Sequence, residues 1–600
     1  MHWISLLSTL LLFQAAAVPA QQQQIRPQDR GSVAGYIVKM GTGEPVAKAT
    51  VTINVFNSGR AQSYTVTTNS RGQFAFQNLE PGPYRLSAMR NGYVRMEYGA
   101  RSPNRPGLPI NLSAGQNIAD VVLQIMPAGT IAGRVFDRDG EPLANVTVEA
   151  LKYTYQEGQR VMNVVQTART NDLGEYRLFW LAPGQYFVSA TPPEGQRGGA
   201  LLNALSVGGP GIAGAIGEII ANRGGGPRGG QRGGPPQAPI PTAPNAPEQQ
   251  AEGYVPVYYP GTTESHSAAP INLPSGTVFS GVDFTVMTVR TLRVQGQVID
   301  GVTGQPAGNA NVMLLPAQRS GGGGLRGAVR NLANLRSQIN NQGNFDIRGV
   351  PPGSYEIIAM VNQRNNRMSA RLPLEIGGSD VQNVSLVLTP GFTLTGRLAI
   401  EGEQAGAGNQ NTARIRVMLR PGSPAQMAGG PSAAQVQADG TFTLEQVGRD
   451  DYRLNVAGLP RNAYVKMARY GAIDIMADGL RLDRQPTGPI EILISTNTGI
   501  VDGIVQNERQ EPATNVTVVL VPEGARRNRF DLYRTTSTDA AGRFHSEGVP
   551  PGDYRVFAWD DIETGAWMDP DYLRRFEDRG RPLRISEGGT ANLELRVIQQ

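Results

Sequence analysis

One interval recurs five times along the chain and limits what the chain can fold into. Each copy starts with a glycine, has an aromatic residue two positions later and an aliphatic residue seven positions later, and ends with a tyrosine twelve positions after the glycine. Internal repetition of this kind indicates copies of one structural unit, and it predicts five of them. The glycine and tyrosine pairs are Gly72 and Tyr84, Gly174 and Tyr186, Gly343 and Tyr355, Gly440 and Tyr452, and Gly542 and Tyr554.

The residues around each interval predict a β-hairpin. An Asn or Asp precedes four of the glycines, and a Pro-Gly pair lies before the tyrosine in four copies, so both ends carry turn residues. After the tyrosine, apolar residues alternate with period two, as in Leu86 and Ala88, which is typical of a half-buried strand. The position is tyrosine in every copy and never phenylalanine. We therefore expect its hydroxyl to bond to nearby backbone, as in the tyrosine corner of sandwich domains.

An upstream strand repeats as well, with a central glycine flanked two residues away by aliphatic residues. It occurs first around Gly35 and last around Gly503. Each unit therefore has roughly six or seven short strands separated by turn residues, which is typical of a β-sandwich. The predicted fold class is all-β, a tandem array of about five immunoglobulin-like or transthyretin-like β-sandwiches.

The repeat also predicts where the units lie. We name them sandwich 1 (31–128), sandwich 2 (129–290), sandwich 3 (291–390), sandwich 4 (391–498, divergent because it lacks both turn prolines) and sandwich 5 (499–600). Sandwich 2 is longer because a Gly- and Pro-rich stretch, 195–250, interrupts it. Such a composition cannot bury a core, so we expect a disordered insert there.

Residues 1–20 predict a signal peptide. An apolar run over 6–18 is followed by small residues before Gln21. The run is shorter than the roughly 20 residues of a membrane-spanning helix, so cleavage is favoured over an uncleaved anchor, although no Lys or Arg precedes the run. The protein is therefore expected to be secreted, periplasmic or at the cell surface, without a transmembrane span after cleavage.

The composition argues against catalysis. The chain has no cysteine, and its three histidines, His2, His266 and His545, are too scattered for the zinc site of a carboxypeptidase. No nucleophile elbow or phosphate-binding loop is present. An acidic group at 560–571 could hold calcium, but a solvated loop is the favoured interpretation. The net charge of +5 over 600 residues is no footprint of nucleic-acid binding. We predict no enzyme activity, catalytic residue, metal, cofactor or nucleic-acid partner.

Aromatic residues outside the repeated pattern are the candidate ligand-binding residues. Five and six residues after the hairpin glycine, the other units carry polar or small residues, whereas sandwich 2 carries Phe179 and Trp180. Aromatic rings just before a turn should be partly exposed and could stack on sugar rings, with packing against a neighbouring unit or the insert as the alternative. The further candidates are Tyr254, Tyr258 and Tyr259 in sandwich 2 and Trp559, Trp567 and Tyr572 in sandwich 5.

The combined pattern resembles the carboxypeptidase regulatory-like domain. The similarity lies in the glycine-centred strand, the proline turn after it, and segments such as Leu181-Ala-Pro-Gly-Gln-Tyr186 and Val549-Pro-Pro-Gly-Asp-Tyr554. The resemblance implies a transthyretin-like sandwich, grouped with carbohydrate-binding-like folds and related to Cna-type B domains, and it implies no peptidase. It favours a non-catalytic extracytoplasmic binding or scaffold protein whose partner is a polysaccharide or a cell-surface protein. The alternative is a structural or adhesive surface stalk without a defined small ligand.

Overall fold

The computed structural model describes residues 29–55, 62–100, 102–103, 105–156, 158–192, 252–316, 336–337, 339–363, 366–402, 414–421, 432–460 and 462–599. The predicted signal peptide (1–20) and insert (195–250) lie outside the described residues. The chain divides into two compact units, Met1–Arg90 with Arg95–Ile125, and Asn91–Val94 with Met126–Gln600. The five spans above are kept as names for groups of strands, and as domain boundaries they stay predictions.

Strands dominate the described residues, so the predicted all-β class is confirmed. Sandwich 1 contains β1 (Gly31–Lys39), β2 (Thr50–Val55), β3 (Ser63–Thr67), β4 (Gln73–Leu79), β5 (Gly82–Met89), β6 (Tyr93–Val94), β7 (Met96–Glu97), β8 (Ile110–Leu112) and β9 (Asn117–Pro127). Sandwich 2 contains β10 (Gly129–Phe136), β11 (Thr147–Gln156), β12 (Gln159–Arg169), β13 (Glu175–Leu181), β14 (Gly184–Thr191), β15 (Glu252–Tyr254), β16 (Val257–Tyr258), β17 (Ile271–Leu273), β18 (Val278–Phe279), β19 (Phe284–Thr285) and β20 (Thr288–Arg290).

Sandwiches 3, 4 and 5 are built from the strands β21 to β43. Sandwich 3 contains β21 (Leu292–Asp300), β22 (Asn311–Pro316), β23 (Arg336–Ser337), β24 (Asn344–Val350), β25 (Gly353–Gln363), β26 (Asn366–Ile376) and β27 (Val381–Pro390). Sandwich 4 contains β28 (Phe392–Ile400), β29 (Arg416–Pro421), β30 (Ser432–Gln435), β31 (Thr441–Val447), β32 (Asp450–Ala457), β33 (Tyr464–Tyr470), β34 (Ile473–Asp474), β35 (Leu480–Leu482) and β36 (Ile490–Ser495). Sandwich 5 contains β37 (Gly499–Gln506), β38 (Thr517–Pro522), β39 (Arg534–Ser537), β40 (Arg543–Val549), β41 (Gly552–Trp559), β42 (Arg581–Ile585) and β43 (Thr590–Arg596).

Among the described residues, helical segments are short and mostly lie in sandwich 5. The 3-10 turns are Ser265–Ser267, Gly524–Asn528, Phe530–Leu532, Ala566–Met568 and Arg574–Arg579, and the α-helix is Pro570–Leu573. Asp569 caps this helix by accepting hydrogen bonds from the backbone N–H groups of Asp571 and Tyr572.

The segment from repeat glycine to repeat tyrosine is not a hairpin, and that prediction is wrong. In sandwich 1, β4 pairs with β1 in one sheet, whereas β5 pairs with β2 in the other, and sandwiches 2, 4 and 5 show the same separation. In sandwich 3, β24 and β25 belong to one seven-stranded sheet but pair with different strands, β21 and β22. The alternating patterns on both strands are real, but their apolar faces meet across the core and not side by side. The Pro-Gly turn therefore carries the chain from one sheet to the other.

The tyrosine that follows this corner behaves as predicted. Its hydroxyl donates a hydrogen bond to the backbone carbonyl four residues earlier in every copy, over 2.6–2.9 Å. The donor and acceptor pairs are Tyr84 and Glu80, Tyr186 and Ala182, Tyr355 and Pro351, Tyr452 and Gly448, and Tyr554 and Pro550. Burial raises the pKa of Tyr186, Tyr355 and Tyr554 to about 12. This bond fixes the corner, which explains why phenylalanine does not replace the tyrosine.

The glycine-centred strand also has a steric explanation. Gly503 on β37 lies directly across from Phe544 on β40, and a Cβ atom added to Gly503 would lie 2.3 Å from the carbonyl oxygen of Leu593 and 2.5 Å from the Phe544 ring. Gly133 is equally close to the carbonyl oxygen of Val282. The missing side chain lets the parallel closing strand and the aromatic ring approach the first strand.

Candidate functional site

A β-bulge interrupts the strand after each repeat glycine, and it holds the first two candidate residues. Two residues of that strand lie opposite one residue of the first strand in every sandwich. The second bulge residue has a left-handed backbone in all five copies: Asn78, Trp180, Gly349, Gln446 and Gly548, with φ between +54° and +74°. The sequence patterns did not predict this bulge, because residues five and six look like ordinary strand positions.

Sandwich 2 places two aromatic rings at this bulge. Phe179 is 44% exposed and Trp180 is 54% exposed. Their ring centroids lie 5.0 Å apart at an interplanar angle of 88°, so they form an edge-to-face pair. Gln166 on the neighbouring strand β12 donates a hydrogen bond to the Phe179 carbonyl over 3.3 Å, which ties the bulge to the second sheet. We call this pair of rings the aromatic ledge.

The ledge continues across the sheet. Phe179 and Trp180 together oppose Thr130 on β10, and Thr130 pairs on its other side with Val278 on β18, which is 58% exposed. With strands about 4.8 Å apart, this row is about 10 Å long, about twice the width of one sugar ring. Arg177, two residues before Phe179 on the same face of the strand, is also exposed. Two exposed apolar groups, the ring pair and Val278, thus flank the buried Thr130, with a cationic hydrogen-bond donor beside the rings.

The three tyrosines of sandwich 2 do not join the ledge. Tyr254 and Tyr259 are half-buried against the core of this sandwich, and Tyr259 packs edge-to-face on Phe284 at 6.2 Å. Tyr258 is half-buried against a separate cluster that contains Leu151 and Phe187. Each ring is thus occupied mainly by packing inside the sandwich.

The aromatic residues of sandwich 5 require a correction. Trp559 is fully buried and Trp567 is 7% exposed, and both lie in a cluster on the outer side of β38 and β41, with Tyr572 half-buried at its edge. Residues 562–579 fold back over this sheet and cover it. The two indole rings are therefore core residues, and no face of either is open to a ligand. We call this group, with Phe530 and Met568 at its border, the aromatic cluster.

A polar groove in sandwich 5 escaped the sequence patterns. It has a volume of about 870 Å³ and lies on the outer face of β37, β40 and β43. His545 and Asp502 are cross-strand neighbours there, with Nδ1 and Oδ1 2.7 Å apart, and Asn592 extends the row. The histidine was interpreted as part of a solvated strand face, and the pairing with Asp502 became visible only once the register was known.

Within the described part of the chain, no group of three or more acidic or histidine side chains has an arrangement that could hold a metal ion. None of the helices in the same part has the length and apolar character needed to cross a membrane.

Two segments of the chain match a known family. The family model of the carboxypeptidase regulatory-like domain matches residues 32–123 and 130–200, so the predicted resemblance is confirmed there. Colossin-A of Dictyostelium discoideum is 27% identical over 154 residues, which are 25% of this chain and 1% of that protein. The match thus spans about a hundredth of the length of this relative.

Several solved structures are also similar to parts of the chain. The Bacillus anthracis TIE protein is 15% identical, with 60% of this chain and 51% of that chain covered and a TM-score of 0.16. A streptococcal ancillary pilin is 10% identical, with 60% and 99% covered and a TM-score of 0.20. A putative carbohydrate binding protein from Pseudomonas aeruginosa is 15% identical, with 16% and 87% covered and a TM-score of 0.12. Identities and TM-scores this low carry no information about function.

Proposed function

We propose that this chain is a non-catalytic binding protein that acts outside the cytoplasm and binds a glycan on the aromatic ledge of sandwich 2. The observation that supports the proposal is the exposure of Phe179 and Trp180 at a bulge where the other four copies carry no aromatic residue. The proposed ligand is a polysaccharide, and the proposed function involves no chemical reaction.

The backbone at Trp180 strengthens the argument. A bulky residue at φ +60° is uncommon, and a left-handed conformation costs about 1–2 kcal/mol for a residue with a Cβ atom. Sandwiches 3 and 5 avoid this cost with Gly349 and Gly548. Because more than half of the Trp180 side chain stays exposed, packing offsets this cost only in part. The left-handed backbone belongs to the bulge and is shared by Gln446, so what distinguishes sandwich 2 is that an exposed aromatic residue occupies it.

The shape and chemistry of the ledge favour a sugar. Indole and phenyl faces offer flat apolar area to the C–H groups of a pyranose, while the guanidinium of Arg177 can donate hydrogen bonds to ring hydroxyls. A ligand that lies along the row from Trp180 to Val278 would contact three strands of one sheet. A long polymer fits such an open strip because the strip has no end wall.

Affinity measurements on purified full-length protein test the proposal. Wild-type protein is expected to be retained by at least one insoluble or gel-embedded cell-wall polysaccharide. Phe179→Ala and Trp180→Ala should each weaken binding about tenfold or more, as truncation of a central aromatic contact commonly does. Asn78→Ala and Gln446→Ala are matched controls, because these residues occupy the same bulge position as Trp180 in other sandwiches, and they should bind normally.

Two other results would overturn the proposal in different ways. Loss of binding in His545→Ala with normal binding in Trp180→Ala would move the site to the polar groove of sandwich 5. Absence of binding to every polymer tested would favour the alternative function, a structural or adhesive stalk, which the tandem arrangement of sandwiches supports.

Location needs its own experiment. Cell fractionation of the native host should find the protein in the envelope or the medium, with a mature N-terminus near residue 21. Recovery of the intact chain from the cytosol would contradict the extracytoplasmic part of the proposal.

A further inference from the structure

The hairpin of β11 and β12 in sandwich 2 is longer than its own sandwich requires. β11 has 10 residues, whereas its counterpart β38 in sandwich 5, which is also followed by described residues, has 6. On β11 the core of sandwich 2 ends at Ala150, and Leu151 belongs to a small cluster on the outer face. Tyr153 still packs against this small cluster, and the residues from Thr154 to the turn extend beyond both groups of buried side chains.

The tip of this hairpin lies on the aromatic cluster of sandwich 5. The Tyr155 ring meets the Tyr572 ring edge-to-face, with centroids 5.9 Å apart, and it packs against the cluster around Trp559 and Trp567. Without Tyr155, the edge of this cluster at Tyr572 would lose its cover.

Two glycines let the backbones approach at this contact. A Cβ atom added to Gly158, next to the hairpin turn, would lie 2.7 Å from the carbonyl oxygen of Met568 and 3.3 Å from the Phe530 ring. A Cβ atom added to Gly565 would lie 3.0 Å from the carbonyl oxygen of Tyr155. Both sides of the contact are therefore shaped for close approach, which incidental touching of two surfaces does not need.

Charge adds to the complementarity. Burial raises the pKa of Glu563 in sandwich 5, and the positive charges of Lys152 and Arg160 on the hairpin counteract this rise. Arg160 also lies over the Tyr153 ring, 4.0 Å from its centroid, which orients the guanidinium at the base of the tip. The hairpin thus brings two cations near the carboxylate of Glu563.

We propose that the extended hairpin tip is a clasp: a docking element of sandwich 2 whose receptor is the aromatic cluster of sandwich 5 in the same chain. The clasp joins two groups of strands that are far apart in the sequence, and it seals the edge of the second core of sandwich 5. This role is independent of glycan binding, since Phe179 and Trp180 take no part in the contact.

A pair of tyrosine variants tests the clasp in the full-length protein. In Tyr155→Ala, amide hydrogen exchange over 562–579 should become at least tenfold faster. Tyr153→Ala is the matched control, because this tyrosine lies two residues away on the same hairpin but packs on Phe187 of its own sandwich at 5.1 Å. The control should leave exchange over 562–579 unchanged, whereas equal exchange in the wild type and Tyr155→Ala would overturn the proposal.

Crosslinking decides whether the contact is within one chain. The protein has no cysteine, so Tyr155→Cys with Tyr572→Cys introduces only the intended pair. A short bismaleimide should convert this double variant into an internally crosslinked monomer. A covalent dimer would show that the hairpin docks on a second copy, and an uncrosslinked monomer would show that the two sites do not meet. Either result would contradict the clasp.

Discussion

Sandwiches 2 and 5 each carry aromatic residues outside the repeated pattern, and the structure uses them in opposite ways. Trp180 stands at a bulge and is more than half exposed, whereas Trp559 is fully buried on the outer face of its sheet. The difference arises because residues 562–579 cover the outer face of sandwich 5, while the described residues leave the bulge of sandwich 2 open. An aromatic residue out of pattern is thus a candidate for binding only when nothing folds over it.

One position of the repeat shows that burial differs between equivalent sites in different sandwiches. Met89 in sandwich 1, Met360 in sandwich 3 and Trp559 in sandwich 5 all lie five residues after the repeat tyrosine. Met89 is 51% exposed, whereas Met360 and Trp559 are buried. The position faces outward from each sandwich, so its burial depends on what lies outside the sheet.

The largest expected effect comes from removing the buried indole. Trp559→Ala should destabilise sandwich 5 by about 3–5 kcal/mol, because a large side chain leaves a cavity in a closed cluster. Met89→Ala, the exposed residue at the same repeat position, and Trp180→Ala should each change stability by about 0.5 kcal/mol or less. Hydrogen exchange of β38 and β41 under native conditions measures the first effect, and a similar loss in all three variants would break the comparison.

High pH should lower the stability of sandwich 2 and of sandwich 5 to a similar extent. Burial raises the pKa of Tyr186 and Tyr554 to about 12, while an unfolded tyrosine ionises near pH 10. The folded state stabilises the neutral hydroxyl. The contribution of this hydroxyl to the free energy of unfolding is therefore complete below about pH 10 and is lost as the pH rises through 12. Alkaline unfolding followed by circular dichroism should start above pH 10, and a steep loss already at pH 8–9 would contradict this assignment.

Removing one corner hydroxyl should cost the same in either sandwich. Tyr186→Phe and Tyr554→Phe each leave a carbonyl oxygen without its donor, at Ala182 and Pro550. We expect a loss of about 1 kcal/mol in each case, a typical net value for one hydrogen bond. Site-resolved hydrogen exchange at β14 and β41 measures both, and a cost confined to one sandwich would show that the corners are not equivalent.

The smallest expected change in stability tests whether Trp180 serves ligand binding or packing. Trp180→Gly relieves a left-handed tryptophan and should leave the stability of sandwich 2 unchanged or raise it by up to about 1 kcal/mol, while polysaccharide binding is lost. Gln446→Gly relieves the same backbone strain in sandwich 4 and serves as the control for the stability change. A clear destabilisation by Trp180→Gly would mean that the indole is a packing residue.

Local patterns predicted the parts of the fold that depend on neighbours in sequence. The period-two strands and the tyrosine hydrogen bond follow from residues close to each other along the chain. The repeated glycine of the first strand was recognised there too, but its reason, the close approach of Leu593 and Phe544 to Gly503, came only from the structure. Pairing partners were missed, because an alternating strand buries one face equally well beside its neighbour or opposite it. The interval from Gly72 to Tyr84 was therefore predicted as a hairpin when it is a corner between two sheets.

The candidate site was predicted in part for the same reason. Phe179 and Trp180 were recognisable because they break a repeat, and a repeat reports positions that are equivalent in every copy. The His545–Asp502 pair and the docking of Tyr155 each join segments distant in sequence, and no spacing rule connects them. The cover over Trp559 comes from residues 562–579, which lie outside the repeated pattern.

The sequence by itself determined an all-β chain built of repeated sandwiches, with a tyrosine at every corner, because burial of one strand face and one hydroxyl are local requirements. Only the tertiary structure decided which aromatic rings remain accessible. Exposure depends on what packs over a surface, and the cluster around Trp559 is covered by residues 562–579 of the same sandwich and by Tyr155 on the hairpin of another.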